Sequence, residues 1–190
     1  MSKAIVIGTS AGGIDALDFL LPHIPAISKV PIFIVQHISK ESDSYYIKYI
    51  NSKCKVRIKE ACHTEFIIPG TVYFAPPDYH LQIEDEQTIS LSVDDKVNFS
   101  RPSIDVLFES AADVFTKNLI GILLTGSNSD GAIGLKRIKD LGGKSIVQLP
   151  SEAKMSEMPL SAIKLQKPDM IMSLKQIASL LSNINTDLMI

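Results

Sequence analysis

The sequence has no tryptophan, two cysteines, and a net charge of −2 from 19 basic and 21 acidic residues. Each shortage excludes something. Cys54 and Cys62 are too few for a disulfide framework, and with a lone neighbouring His63 they cannot complete a tetrahedral zinc site. Near-neutral charge gives no broad attraction to nucleic acid or to an anionic membrane surface. No apolar run approaches the ~18 residues that a membrane span requires. The stretch from Ala4 to Gly8 is much too short for a signal peptide. We therefore expect a cytoplasmic protein with reduced thiols, no membrane insertion and no nucleic-acid partner. What the sequence does have is apolar material: 45% hydrophobic against 21% charged over 190 residues. That composition and length fit one globular domain with a proper core, spanning 1–190.

Ala4-Ile5-Val6-Ile7 is a short apolar run of the kind buried on both faces of a sheet. Gly8-Thr9-Ser10-Ala11-Gly12-Gly13 follows, and then Ile14, Leu17, Leu20 and Ile24 recur at helical spacing until Pro25. The opening unit reads strand, tight glycine turn, helix. A second buried strand, 31–35, delivers Gln36 and His37 at its C-terminal end. Residues 42–52 are ambiguous between helix and loop. From Val72 to Val93 the period shifts to two, and Leu81/Ile83 and Ile89/Leu91/Val93 around Asp85-Glu86-Gln87 predict an antiparallel hairpin. Ser103 is placed to cap an amphipathic helix with Ile104, Leu107, Phe108, Ala111, Ala112 and Phe115 on its apolar face. Leu119 to Leu124 is another buried strand, followed by a polar turn through Gly131 and a helix carrying Ala132, Leu135, Ile138 and Leu141. A strand at 145–147 and a last helix behind Ser173 complete the series. The fold class is α/β: a mainly parallel, doubly wound sheet with helices on both faces and an antiparallel hairpin at one edge.

In such sheets functional groups gather beyond the C-terminal ends of the strands. Three ends carry a nucleophile, a base and an acid: Ser10, His37 and Asp130. Each alone is an ordinary turn residue; together they have the makings of a triad. Gly8-Thr9-Ser10-Ala11-Gly12 fits the G-x-S-x-G nucleophile pattern between a strand and a helix. Its small residues allow a sharp turn, and the N–H groups near Ala11 and Gly12 at the helix start can hold an oxyanion. A serine hydroxyl needs a base, which His37 supplies, and Asp130 can fix the imidazole tautomer. His23 reads as a helix-end residue, and His80 as structural or at the rim of the site. A dinucleotide fingerprint would need glycine where Ser10 stands and an acid where Gln36 and His37 stand. The order Ser, His, Asp also differs from that of the α/β-hydrolases.

These residues resemble the catalytic domain of the CheB family of chemotaxis protein-glutamate methylesterases. The likeness rests on the serine turn, on Gln36-His37, and on Ala75-Pro76-Pro77-Asp78-Tyr79-His80-Leu81. It continues through Arg101-Pro102-Ser103-Ile104-Asp105-Val106-Leu107-Phe108, Leu123-Leu124-Thr125-Gly126 with Asp130-Gly131-Ala132-Ile133-Gly134, and Met158-Pro159. The resemblance implies a Ser10/His37/Asp130 triad that hydrolyses glutamate methyl esters on methyl-accepting chemotaxis receptors, with glutamine deamidation by the same chemistry. It implies no cofactor and no metal. In the family a methionine lines the site where this chain has Ser127, so Ser127 joins Ala11 and Gly12 as a substrate-side candidate. The late block reads Ser156-Glu157 where an aromatic-glycine pair is usual. Many relatives carry a phosphoreceiver domain before the esterase, whereas only Met1-Ser2-Lys3 precede Ala4. Control is then expected in trans, from a separate receiver or chemotaxis signalling protein in a phosphorelay. The reading from another class is a non-catalytic receptor-binding or signalling module on the same fold.

Overall fold

The computed structural model describes residues 3–38 and 45–185. The elements run β1 (Ala4–Thr9), α1 (Gly13–Leu20), β2 (Ile32–Gln36), α2 (Tyr45–Lys53), β3 (Arg57–Glu60) and β4 (Thr71–Phe74). Then come β5 (His80–Ile83), β6 (Ile89–Ser92), α3 (Ile104–Phe115), β7 (Leu119–Leu123) and α4 (Ala132–Asp140). The chain continues through β8 (Lys144–Gln148), α5 (Glu157–Leu165), β9 (Met170–Met172) and α6 (Leu174–Ser182).

Seven strands form one sheet in the order β3-β4-β2-β1-β7-β8-β9, with every pairing parallel. Its central strands are buried end to end, which is why β1, β2 and β7 read as unbroken apolar runs. The period of two then divides the core. Val6, Phe33, Val35, Tyr73, Leu123 and Val147 face a layer built by α3, α4 and α5. Ile5, Ile7, Ile34, Val72, Ile122 and Ile146 face α1, α2 and α6. The strand order reverses at β1, so the β1–β7 crevice is the switch point where ligands of open α/β sheets gather. Among the described residues no helix is long and apolar enough to cross a membrane.

The hairpin is where the period placed it, with Leu81 opposite Leu91 and Ile83 opposite Ile89. Its position is more specific than an edge addition. β5 and β6 form a separate two-stranded sheet, with Leu81, Ile83 and Ile89 buried in the same core as Leu107, Phe108 and Ala111 of α3. The apolar face of the hairpin is satisfied by a helix, so it does not extend the main sheet. Val93 lies beyond β6 and is exposed. The ambiguous segment resolves as α2 from Tyr45 onward, while 42–44 fall outside the described residues. Four elements had no clear sequence signal. β3 is an edge strand with three charged residues in four, and β9 has three residues. β4 merges into the alternation that follows it, and α5 holds Pro159 in its first turn, where proline is tolerated but reads as a breaker.

Candidate active site

The turn after β1 is shaped by close packing. A Cβ on Gly8 would lie 2.2 Å from Ile104 Cγ2, so only glycine lets the strand end this close to α3. Gly12 takes the left-handed conformation at φ 82° as the N-cap of α1, with no side-chain cap. Ser10 is anchored through its main chain: its N–H donates to the Thr125 carbonyl at 3.0 Å, and its carbonyl accepts the Gly13 N–H at 2.8 Å. Among the described residues the Ala11 and Gly12 N–H groups have no backbone acceptor. The side chain of Ser10 is half-buried. A Cβ on Gly126 would stand 2.5 Å from Met158 Cε and 3.0 Å from Ser10 Cβ. Glycine at 126 therefore lets a buried methionine and the serine meet over the end of β7.

His37 follows β2 and continues the parallel ladder, its N–H donating to the Thr9 carbonyl at 3.0 Å. Its Nε2 lies 2.7 Å from Asp130 Oδ2. An ionised carboxylate only accepts, so the shared proton belongs to Nε2 and Nδ1 keeps the free lone pair. Ser10, Ala11, Gly12, Gln36, His37 and Lys154 share one open cleft of about 540 Å³. Thus the structure joins His37 directly to Asp130 and brings Ser10 to the same cleft, without a Ser10–His37 hydrogen bond. Ser127 is exposed on the following turn and does not line that cleft.

Asp130 is wholly buried, and the reason it can be an anion there is the N-terminus of α3. Its carboxylate accepts from the Ile104 N–H at 2.6 Å, the Asp105 N–H at 3.2 Å and the Ser103 hydroxyl at 2.8 Å. Asn98 Nδ2 adds a donor at 3.2 Å. Ser103 was placed correctly by sequence as the N-cap residue, but its hydroxyl does not cap its own helix. Asp130 performs that task from outside, with the helix dipole in its favour. Burial pushes the Asp130 carboxyl up, but the hydrogen bonds from His37, Ile104 and Asn98 and the charge of His37 outweigh it and hold it below the ordinary carboxylate value.

A second buried acid mirrors this arrangement. Asp105, in the first turn of α3, accepts the Gly134 N–H of α4 at 2.7 Å and Asn98 Nδ2 at 2.9 Å. Each helix start is therefore served by a carboxylate belonging to the other. Burial pushes the Asp105 carboxyl up, the Gly134 bond draws it back, and the Asp130 and Glu109 charges add to the rise, which together bring it to about 6. Asp130 has more donors, so a proton shared by the pair resides on Asp105.

Around this pair the two sequence blocks at 75–81 and 101–108 meet. Arg101 Nε and Nη2 donate to Asp78 at 3.0 and 2.8 Å, and Nη1 donates to the Val93 and Asp94 carbonyls. His80 is buried with both ring nitrogens engaged: Nδ1 accepts the Ser103 N–H at 3.2 Å, and Nε2 donates to the Asp95 carbonyl at 3.1 Å. His80 is thus part of the frame that carries Ser103 to Asp130. His23 bonds the Phe19 carbonyl at the end of α1, and His63 accepts the Leu91 N–H. Sequence reasoning missed Asn98 and Asp105 as functional neighbours. A signal existed for Asp105: at i with Phe108 at i+3 and Ala112 at i+7, it is an acid on an apolar helix stripe.

The chain matches the profile of the CheB methylesterase family over residues 5–181. The chain belongs to that family. A Leptospira interrogans protein, provisionally named protein-glutamate methylesterase/protein-glutamine glutaminase, is 52% identical over 178 residues, covering 94% of this chain and 92% of that protein. Protein-glutamate methylesterase/protein-glutamine glutaminase 2 of Syntrophus aciditrophicus is 34% identical over 180 residues. That match takes in 93% of this chain but 52% of the relative, so the chain spans about half the length of that longer protein. The crystal structure of the Thermotoga maritima CheB methylesterase catalytic domain superimposes with a TM-score of 0.91 at 30% identity, covering 97% of this chain and 99% of that one. The CheB methylesterase fold thus accounts for both the parallel sheet and the separate hairpin.

Proposed function

We propose that this chain is a cytoplasmic serine hydrolase that demethylates glutamate γ-methyl esters on methyl-accepting chemotaxis receptors and deamidates glutamines by the same acyl chemistry. The relatives' names supply the substrate class. The observation that carries the mechanism is the 2.7 Å His37–Asp130 hydrogen bond, which turns the lone pair to His37 Nδ1 at the cleft that holds Ser10. Both core layers rest on one sheet, which supports reading the chain as one catalytic unit.

Ser10 Oγ attacks the ester carbonyl carbon while its proton passes to His37 Nδ1. Negative charge moves to the carbonyl oxygen, where the N–H groups of Ala11 and Gly12 are the donors to hand. The imidazolium is stabilised by buried Asp130 through Nε2. It then returns its proton to the departing methoxide, releasing methanol and leaving a glutamyl ester on Ser10. A water, deprotonated by His37, attacks that ester; the glutamate carboxylate leaves and Ser10 regains its proton. With a glutamine substrate the first leaving group is ammonia. Hydrogen bonds of this kind commonly close only once substrate is bound, which accommodates the open Ser10–His37 pair. The residues carry every proton themselves, so no metal or organic cofactor enters the scheme. A separate receiver or signalling protein of a phosphorelay is the regulatory partner that the family reading suggests.

The test is methanol release from a methylated receptor by the wild type and by Ser10→Ala. The variant is expected to lose activity by roughly 10⁴–10⁶. Activity within tenfold of wild type in the variant rejects the covalent mechanism.

A further inference from the structure

The last residue of β2 is a buried polar side chain in an otherwise apolar strand. Gln36 Nε2 donates to the Ser10 carbonyl at 3.0 Å and to the His37 carbonyl at 3.0 Å. Its Oε1 is fully buried and, among the described residues, has no hydrogen-bond partner. That oxygen lies against the start of α1, where a Cβ on Gly13 would come within 2.1 Å of it. A buried acceptor left without a donor is unfavourable, and an apolar side chain of the same size would avoid it. Turning the amide over does not help, because Oε1 would then face two carbonyl oxygens. The amide is retained for its two N–H groups, and both go to the main chain of the nucleophile and the base.

We infer that Gln36 is a positioning residue that fixes Ser10 relative to His37 by bridging their carbonyls with one amide. The bridge closes a short circuit. The His37 N–H is tied to the Thr9 carbonyl across the β1–β2 ladder, and Gln36 adds the link one peptide group further along each turn. The Ser10 carbonyl has a second donor in the Gly13 N–H, whereas among the described residues the His37 carbonyl has Gln36 alone. Without the bridge the His37 turn can pivot away from Ser10 while the sheet stays whole. Gln36 acts through backbone atoms, both of its donors being spent on carbonyls, so its loss falls on turnover and spares binding.

This inference rests on the reading of Ser10 and His37 as nucleophile and base, and the experiment separates the two. An alkyl fluorophosphonate labels an aligned Ser–His pair without any receptor. Wild type, Gln36→Met and Gln36→Leu are compared for the rate of Ser10 labelling, for kcat and KM of methanol release, and for thermal midpoint. Gln36→Met removes both donors and the orphaned oxygen together, and should stay folded with a midpoint within a few degrees of wild type. Its labelling rate and kcat should both fall about 10–100-fold, with KM within about twofold. Gln36→Leu, which likewise has no donors, should show the same split and serves if the methionine variant does not fold. Labelling at the wild-type rate in a folded variant, or a loss confined to KM, overturns the role of Gln36 alone. A wild type that resists labelling overturns Ser10 as nucleophile, and the bridge with it.

Discussion

The turns after β1 and after β7 are built to the same plan and finished in opposite ways. Each leaves a buried parallel strand, each enters its helix through a left-handed glycine, Gly12 at φ 82° and Gly131 at φ 91°, and neither helix has a side-chain cap of its own. The first turn keeps Ser10 half-buried at an open cleft, its hydroxyl uncommitted among the described residues. The second takes Asp130 fully out of water and surrounds it with donors from His37, α3 and Asn98. A nucleophile has to move and be reached; an acid that orients a base has to stay still and stay charged. One backbone design serves both because the neighbours differ, above all the N-terminus of α3.

The contrast predicts that the two turns fail differently. Asp130→Ala should match Ser10→Ala as a severe loss of turnover, but unlike it should also destabilise the fold by about 3–5 kcal/mol, because buried donors and His37 lose their acceptor. Urea denaturation of both variants measures this, and equal stabilities would erase the distinction. Ser103→Ala removes one donor from Asp130 and should cost about 1 kcal/mol and roughly tenfold in kcat; an unchanged kcat would show that the Ile104 and Asp105 N–H groups suffice. A further effect concerns Asp105 and pH. Its folded value of about 6 lies above the ordinary 3.8, so its contribution to stability is fully present below ordinary carboxylate titration and fades as pH rises through about 6. Asp130, held low, has the opposite sign and loses its contribution as pH falls through its lowered value. Asp105→Asn should therefore flatten stability between about pH 4 and pH 7 by ~1–2 kcal/mol. A variant that follows the wild-type pH curve would place the titration elsewhere.

Much of this was legible because central parallel strands and amphipathic helices announce themselves. The β1, β2 and β7 runs, and the turns that carry Ser10, His37 and Asp130, follow from apolar runs meeting glycine or polar residues. Nothing in the sequence alone says that β7 returns to pair with β1, yet that pairing is what brings residue 130 to residue 37. The cage around Asp130 was less visible. Ser103 reads as a local cap, and only the tertiary approach of α4 turns its hydroxyl toward another residue's carboxylate. Asn98 sits at φ 50° in a turn closed by Val97 and Ser100, a short-range geometry that gives its amide to both acids. In the sequence Gln36 stands out only for what it is not, an acid for a ribose, and its two backbone bonds depend on a register that periodicity does not set. The edge strands β3 and β9 escaped because edges carry charge or are brief.

The place of β1 in the middle of the sheet also sets a timetable. During synthesis β2 follows β1 closely, but β7, the other neighbour of β1, comes more than a hundred residues after β1. At ordinary elongation rates of roughly 5–20 residues per second, that is a wait of about 5–20 s. Throughout it Ser10 lacks the Thr125 carbonyl that anchors its N–H, and His37 has no Asp130. On the proposed reading, a nascent chain still on the ribosome therefore holds Ser10 and His37 in unfinished form, and esterase chemistry begins only when β7 and the turn that carries Asp130 have arrived.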